Sequence, residues 1–153
     1  MEYENLFKGE SMEKSILPEN ALTLLTAIMK VYPMIVLSNL TKNRYVMLRD
    51  EGFLYNEIVS SGVYDDLIDD NVENIHDNYQ EIFLQCFSRD KLLHEYANGK
   101  TDVYAELYQK DPKGSYQWVS THVIKVQSES DDIIQICFNR PLGGIVEKHH
   151  KHF

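Results

Sequence analysis

Residues 101–139 hold the tightest constraint in the chain: three strand-like runs, TDVYAELYQ (101–109), YQWVSTHVIKV (116–126) and IIQICFN (133–139), separated only by the turn signals DPKG and SESDD. Connections this short allow neighbouring antiparallel strands and leave no room for a crossover helix, so these runs form a meander. Two more runs precede them, MIVLSN (34–39) and RYVMLR (44–49), joined by Leu40-Thr41-Lys42-Asn43 in the manner of a hairpin. The helical text falls between and before these groups. Helices gathered at one side of an antiparallel sheet make an α+β fold with five strands.

The helical segments have readable ends. PENALTLLTAIMKV (18–31) starts with a proline suited to a first turn and consists of good helix formers. Its apolar residues sweep an arc of roughly 220°, leaving Glu19, Thr23, Thr26 and Lys30 as a polar stripe. Asp77 and Gln80 form a variant capping box before a helix whose Tyr79, Ile82, Phe83, Cys86 and Phe87 share a face. Ser88 is placed to cap a second helix, RDKLLHEYA, with Leu92, Leu93, Tyr96 and Ala97 on one side and Asn98-Gly99 at its end. Residues 51–75, with the acidic run YDDLIDDNVE, suit short helices and turns. The expected organisation is a tail at 1–17, one domain over 18–140 and a tail at 141–153.

Composition narrows the partners. The chain carries 15 Lys and Arg against 24 Asp and Glu, a net charge of -9, which repels phosphate backbones and anionic lipid. No run approaches the ~20 apolar residues of a membrane span, and the acidic start is unlike a secretory signal. A cytoplasmic protein that binds neither nucleic acid nor membrane is expected. Cys86 and Cys137 fit no metal-ligand spacing and read as small buried apolar groups. Asp65, Asp66, Asp69, Asp70 and Glu73 lack the order of a calcium loop and read as a solvated helix face. The tail histidines His149, His150 and His152 read as an untethered end. No nucleophile elbow, zinc helix or phosphate loop occurs, and Ser120-Thr121-His122 has no evident acid partner. Neither catalytic residues nor metal ligands are expected.

In this order of elements, Gly114-Ser115-Tyr116-Gln117-Trp118 resembles the G-x-Y-x-W hairpin signature of one subgroup of PAS sensory domains. Asn39-Leu40-Thr41-Lys42-Asn43, Phe87-Ser88-Arg89-Asp90 and Gly99-Lys100 before Ala105-Glu106-Leu107 are similar to PAS domains at the front of bacterial diguanylate cyclases and related signalling proteins. The motif has a physical reason: glycine permits the turn, and aromatic residues at i and i+2 share a strand face and anchor the hairpin. The resemblance implies a sensory and dimerisation module that regulates an effector and carries no chemistry of its own. Only a short tail follows Asn139, so the effector would lie in a longer protein or act in trans.

The same resemblance implies a homodimer through the N-terminal helix, with Leu22, Leu25 and Met29, or Leu24 and Ile28, at the interface. Tyr79, Phe83 and Phe87 are the candidates to line a small-molecule cavity beneath the sheet; a dry aromatic core is the plainer reading. Some PAS domains hold haem through a helix histidine, and His94 is the residue so placed; His76 and His122 read as surface or structural. Cys86 sits in L-Q-C-F-S, unlike the G-x-N-C-R-F of flavin photosensors. A second function class, a small cone-shaped α+β enzyme or carrier, would need titratable groups converging in a pocket. The expected protein is colourless: after gel filtration it has no visible absorption band and no stoichiometric metal. A persistent band or metal in elemental analysis would overturn this.

Overall fold

The computed structural model describes residues 11–52, 54 and 58–143, with side chains described from residue 20 onward. The chain divides into two compact units between Val31 and Tyr32. The first contains helix α1 (Ser11–Val31). This helix begins seven residues before the expected start at Pro18, counting from Ser11. Pro18 therefore sits inside the helix, where its missing N–H removes one backbone bond, a cost that a longer run of helix formers offsets. The expected tail at 1–17 thus becomes helix from Ser11, while residues 1–10 and the tail histidines lie outside the described residues.

The second unit is an antiparallel sheet with three helices. Strands β1 (Met34–Asn39), β2 (Arg44–Asp50) and β3 (Ser61–Val63) precede helices α2 (Tyr64–Val72), α3 (Asp77–Phe87) and α4 (Arg89–Ala97). Strands β4 (Asp102–Lys110), β5 (Tyr116–Val126) and β6 (Ile134–Pro141) complete it. The order across the sheet is β3-β2-β1-β6-β5-β4. The fold is thus α+β and PAS-like as expected, with six strands where five were expected. The additional strand, β3, is three residues long, too short for alternation to be read. It pairs with β2 through Tyr45 and Gly62, and a Cβ on Gly62 would stand 3.5 Å from the Tyr45 ring. Tyr45 secures the connection by donating its hydroxyl to the Val59 carbonyl at 2.7 Å.

Alternation assigns the two faces of the sheet. Met34 and Val36 of β1, Val103 and Leu107 of β4 and Val123 of β5 point toward the helices and join Phe83, Phe87, Leu92 and Tyr96 in one buried core. Tyr64 and Leu67 of α2 join the same core, while Asp65, Asp66, Asp69 and Asp70 are exposed, the solvated acidic face the sequence predicted. Ile82, expected on the packed face of α3, is 48% exposed because the core-facing arc of that helix is narrower than its apolar stripe.

Helix starts depart from the expected caps. α3 is capped by His76, whose Nδ1 accepts from the Asn78 N–H at 3.1 Å; Asp77 is the first helical residue and receives Gln80 at 3.5 Å. Ser88 holds the N-cap position of α4 with its side chain unused. The segment before α3 explains the choice of His76. Ile75 bridges to Gln109, and the His76 N–H donates to the Tyr108 carbonyl at 2.8 Å, so the backbone leaves the β4 edge at His76.

The hairpin between β4 and β5 is held at its turn by Asp111 and Gly114. Asp111 Oδ1 accepts from the Lys113 and Ser115 amides at 2.9 and 3.0 Å, and Gly114 adopts φ 84°, a left-handed conformation open to glycine. Trp118 stands opposite Tyr108, with ring centroids 5.1 Å apart, on the sheet face away from the main core. Tyr79, from the first turn of α3, meets Trp118 edge-on at 5.2 Å, and Tyr116 stacks on Tyr108 at 5.2 Å. His76 closes the group against Tyr116 at 4.9 Å. The aromatic cluster thus wraps the β4 edge and fastens the hairpin to the start of α3. Trp118→Ala should lower stability by ~3–5 kcal/mol, the usual cost of deleting a buried large side chain. Ser120→Ala, on the same face of β5, should cost far less; equal urea midpoints for the two variants would remove Trp118 from its anchoring role.

Candidate functional site

A cavity of about 40 Å³ lies between the helices and the sheet. Met34 and Val36 of β1, Tyr64, Leu67, Ile68 and Asn71 of α2, Phe83 and Phe87 of α3, Thr121 and Val123 of β5, and Cys137 and Asn139 of β6 line it. Of the three aromatic residues proposed from the sequence, Phe83 and Phe87 stand on the cavity; Tyr79 stands at Trp118 instead. The difference is one turn of helix: Tyr79 belongs to the first turn of α3, which has already reached the edge strand.

The floor of the cavity is polar. Thr121 and Asn139 are directly opposed on β5 and β6, and Thr121 Oγ1 donates to Asn139 Oδ1 at 2.7 Å. Asn139 Nδ2 donates in turn to Cys137 Sγ at 3.2 Å. Tyr64 donates its hydroxyl to the Phe87 carbonyl at 2.7 Å, tying α2 to the end of α3. Beyond Cys137 along β6, Gln135 accepts from the Tyr96 hydroxyl at 2.7 Å. Gln135 Nε2 and the Oγ of Ser38, its cross-strand neighbour on β1, are buried without a hydrogen-bond partner. Leaving such groups unpaired costs roughly 1–3 kcal/mol each, so this part of the interior is kept polar at the expense of stability.

The titratable groups around the cavity are held neutral. Burial pushes the Cys137 thiol up to about 12, with only Asn139 opposing. Burial raises the Tyr64 phenol well above its usual range, and the neighbouring Cys137 adds to this. Burial likewise raises Tyr96. Among the described residues the lining includes no carboxylate, ammonium or imidazole. Among the described residues no group of three His, Cys, Asp or Glu side chains is placed to hold a metal ion.

Other sequence candidates are dispersed. His94 is exposed on α4, its ring nitrogen 3.0 Å from Asn98, and lies outside the cavity lining, so it does not fit as an axial ligand to a group held there. His122 does have an acid partner, contrary to expectation: its Nε2 lies 2.7 Å from Asp102 Oδ2, and this hydrogen bond holds the Asp102 carboxyl below its usual range. The partner comes from the adjacent strand, a pairing that local sequence cannot show. No nucleophile joins them. Thr121 faces the opposite side of the sheet, and Ser120 is engaged by Tyr104. Tyr104 itself donates to Glu106 at 2.6 Å, and its phenol is pushed up to about 12, first by burial and then by that carboxylate. Among the cavity residues that sequence reasoning missed, the polar ones are Asn71, Thr121 and Asn139. For Thr121 and Asn139 the signal is inward parity with Val123 and Cys137, which pairing alone reveals; Asn71, on α2, carries no such signal.

No family model matches the chain, and no curated protein matches it. Among solved structures, it is similar to a sensory box histidine kinase/response regulator from Burkholderia thailandensis E264, with a TM-score of 0.56 and 9% identity over 84% of this chain and 90% of that one. It also matches the N-terminal domain of a diguanylate cyclase with PAS/PAC sensor from Marinobacter aquaeolei, with a TM-score of 0.47 and 16% identity over 76% of this chain and 98% of that one. At such identity the first likeness establishes a shared fold. No helix among the described residues is long and apolar enough to cross a membrane.

The raised thiol has a checkable consequence. As pH rises past the ~8.5 of a free cysteine, the unfolded state loses its proton first, so Cys137 favours the native state below that pH and contributes less above it. In a Cys86→Ser background at pH 8, Cys137 should be silent to Ellman's reagent until urea unfolds the chain. Cys137 is half-buried, so rapid labelling of the native protein would show that its sulfur is open to solvent rather than enclosed by the cavity.

Proposed function

We propose that the chain is a PAS-type sensory and dimerisation module of bacterial signal transduction, one that regulates an effector domain or partner and is not itself an enzyme. The observation that carries this reading is the fold it shares with a sensory box protein, combined with a cavity whose described lining residues include no ionised group. An enzyme of the cone-shaped type needs an acid or base in its pocket with a pKa near working pH. Here the two titratable liners, Tyr64 and Cys137, are shifted away from neutrality, so neither can take or give a proton at pH 7.

Dimerisation is supported by two apolar surfaces, each considered by itself. On α1, Leu22, Leu24 and Leu25 are 67%, 63% and 56% exposed, while Ile28 and Met29 are half-buried. On the outer sheet face, Val46 and Leu48 are 41% and 50% exposed, beside half-buried Leu37, Ile134 and Ile136. Large contiguous apolar surface is uncommon on soluble monomers and marks contact sites. A two-fold pair would bring the same helix from each copy together. On this reading Leu22, Leu25 and Met29, or Leu24 and Ile28, lie at the interface between copies.

Light scattering of residues 1–153 at tens of micromolar should give twice the chain mass. Leu25→Glu with Met29→Glu should convert it to monomer with the far-UV spectrum largely kept. A wild-type monomer would remove the dimer from the reading.

A further inference from the structure

We infer that the cavity beneath the sheet is a recognition site for a small uncharged ligand bearing one hydrogen-bond donor and one acceptor, an amide-like group held between α2 and strands β5 and β6. This inference rests on the sensory reading above and names the class of molecule sensed.

The charge of the ligand follows from the lining. Among the described residues no ionised side chain faces the cavity, so a carboxylate or ammonium would be stripped of water without a counter-charge from them. Tyr64 and Cys137, the liners that could ionise, are themselves held neutral by burial. Organic acids and amines in their charged forms are therefore poor ligands.

Its hydrogen-bonding pattern follows from two buried residues. Thr121 gives its only proton to Asn139 Oδ1, so what its hydroxyl offers the cavity is a lone pair. Asn139 uses one of its two amide protons on Cys137 sulfur, a weak acceptor, which leaves the second for a better one. The two residues face each other across neighbouring strands, so the free acceptor and free donor stand side by side. An amide presents the complementary pair, N–H beside C=O. Asn71 faces this floor from α2, with its Oδ1 loosely held by Asn74 at 3.3 Å.

Volume sets the size. One water needs about 10–15 Å³ of such space, so a cavity of about 40 Å³ takes roughly three or four non-hydrogen atoms. A flavin or haem far exceeds this. The strand sequence also argues against a floor built only for packing. In Ile134-Gln135-Ile136-Cys137-Phe138-Asn139, the apolar residues face away from the helices and the polar ones line the interior. A core selected for burial alone would have the opposite phase.

Acetamide is the probe. Titrated into the ¹⁵N-labelled full chain, it should give saturable shifts confined to the Asn71 and Asn139 side-chain amides and the backbone near Thr121. Acetate, of the same shape but charged, should give none. Thr121→Val keeps the shape and removes the acceptor, and should weaken acetamide by about tenfold, the loss of one hydrogen bond. Should that variant fold poorly, Val123→Ile adds a methylene at the cavity and should abolish the shifts with the fold kept. Shifts that never saturate, equal binding of acetate, or unchanged affinity in both variants would overturn the site. A monomer that still binds acetamide would sink the dimer module and leave the ligand class standing, whereas a dimer that binds none does the reverse.

Discussion

The placement of α2, and with it the cavity, depends on Asn43. This residue sits at φ 57°, a left-handed conformation that asparagine tolerates better than most side chains. From there its carbonyl accepts the Tyr64 N–H at 3.0 Å, its Oδ1 accepts the Asp65 N–H at 3.0 Å, and its Nδ2 donates to the Asp65 carboxylate at 2.9 Å. The residue at the N-cap position of α2, Val63, has no side-chain oxygen to offer, so the helix is capped by a turn 21 residues away, the separation of Asn43 from Tyr64. A cap of this kind is worth about 1 kcal/mol. Its structural weight is greater because the same turn anchors everything around it. Leu40 is fully buried and donates its N–H to the Ile133 carbonyl at 2.8 Å, Arg89 at the start of α4 donates to the carbonyls of Leu40 and Thr41, and Asn39 donates to Asp132 at 2.9 Å. Three segments distant in sequence thus meet at one hairpin loop.

How far sequence could see this differs by the kind of constraint. Elements held by local signals were legible: the three-strand meander, the 39–43 hairpin, the Asn98-Gly99 helix end with Gly99 at φ 93°, and the shared face of Tyr116 and Trp118 all follow from spacing and turn chemistry. What failed depends on contacts made far along the chain. His76 displaced Asp77 as the α3 cap because the preceding residues are pinned to the β4 edge, and His122 found Asp102 across a strand pair. β3 is set by its pairing with Arg44, Tyr45 and Val46 of β2, with Tyr45 also holding the Val59 carbonyl just before it.

The cavity was the least legible part because the alternation of β6 inverts the usual rule. Read alone, Ile134, Ile136 and Phe138 are the natural inward set. The pairings with β1 and β5 settle the phase the other way: Val36 and Val123 are core residues, both oppose Cys137, and Gln135 and Asn139 go inward with it. A one-residue shift of register would bury the isoleucines and expose the amides, at a cost in every pairing of both neighbours. The chain instead keeps buried polar atoms, two of them unpartnered on Ser38 and Gln135. An interior of this kind is less stable than a hydrocarbon one and more discriminating.

That inversion also connects the two sides of the sheet. Asn139 and Phe138 are consecutive residues of one strand, the first on the cavity and the second on the outer face, where Tyr32 packs against it with ring centroids 5.1 Å apart and Arg140 lies 5.7 Å from the Tyr32 ring. A strand inside a sheet cannot move one set of side chains without the other, because both hang from the same hydrogen-bonded backbone. An engagement of Asn139 that shifts the β6 backbone therefore also shifts Phe138 and Arg140, with no hinge needed. The neighbouring strands are closely packed, so such a displacement is passed on rather than absorbed. For a domain proposed to sense a molecule too small to fill a conventional pocket, this is the shortest route by which occupancy reaches the apolar outer face: across the thickness of one strand.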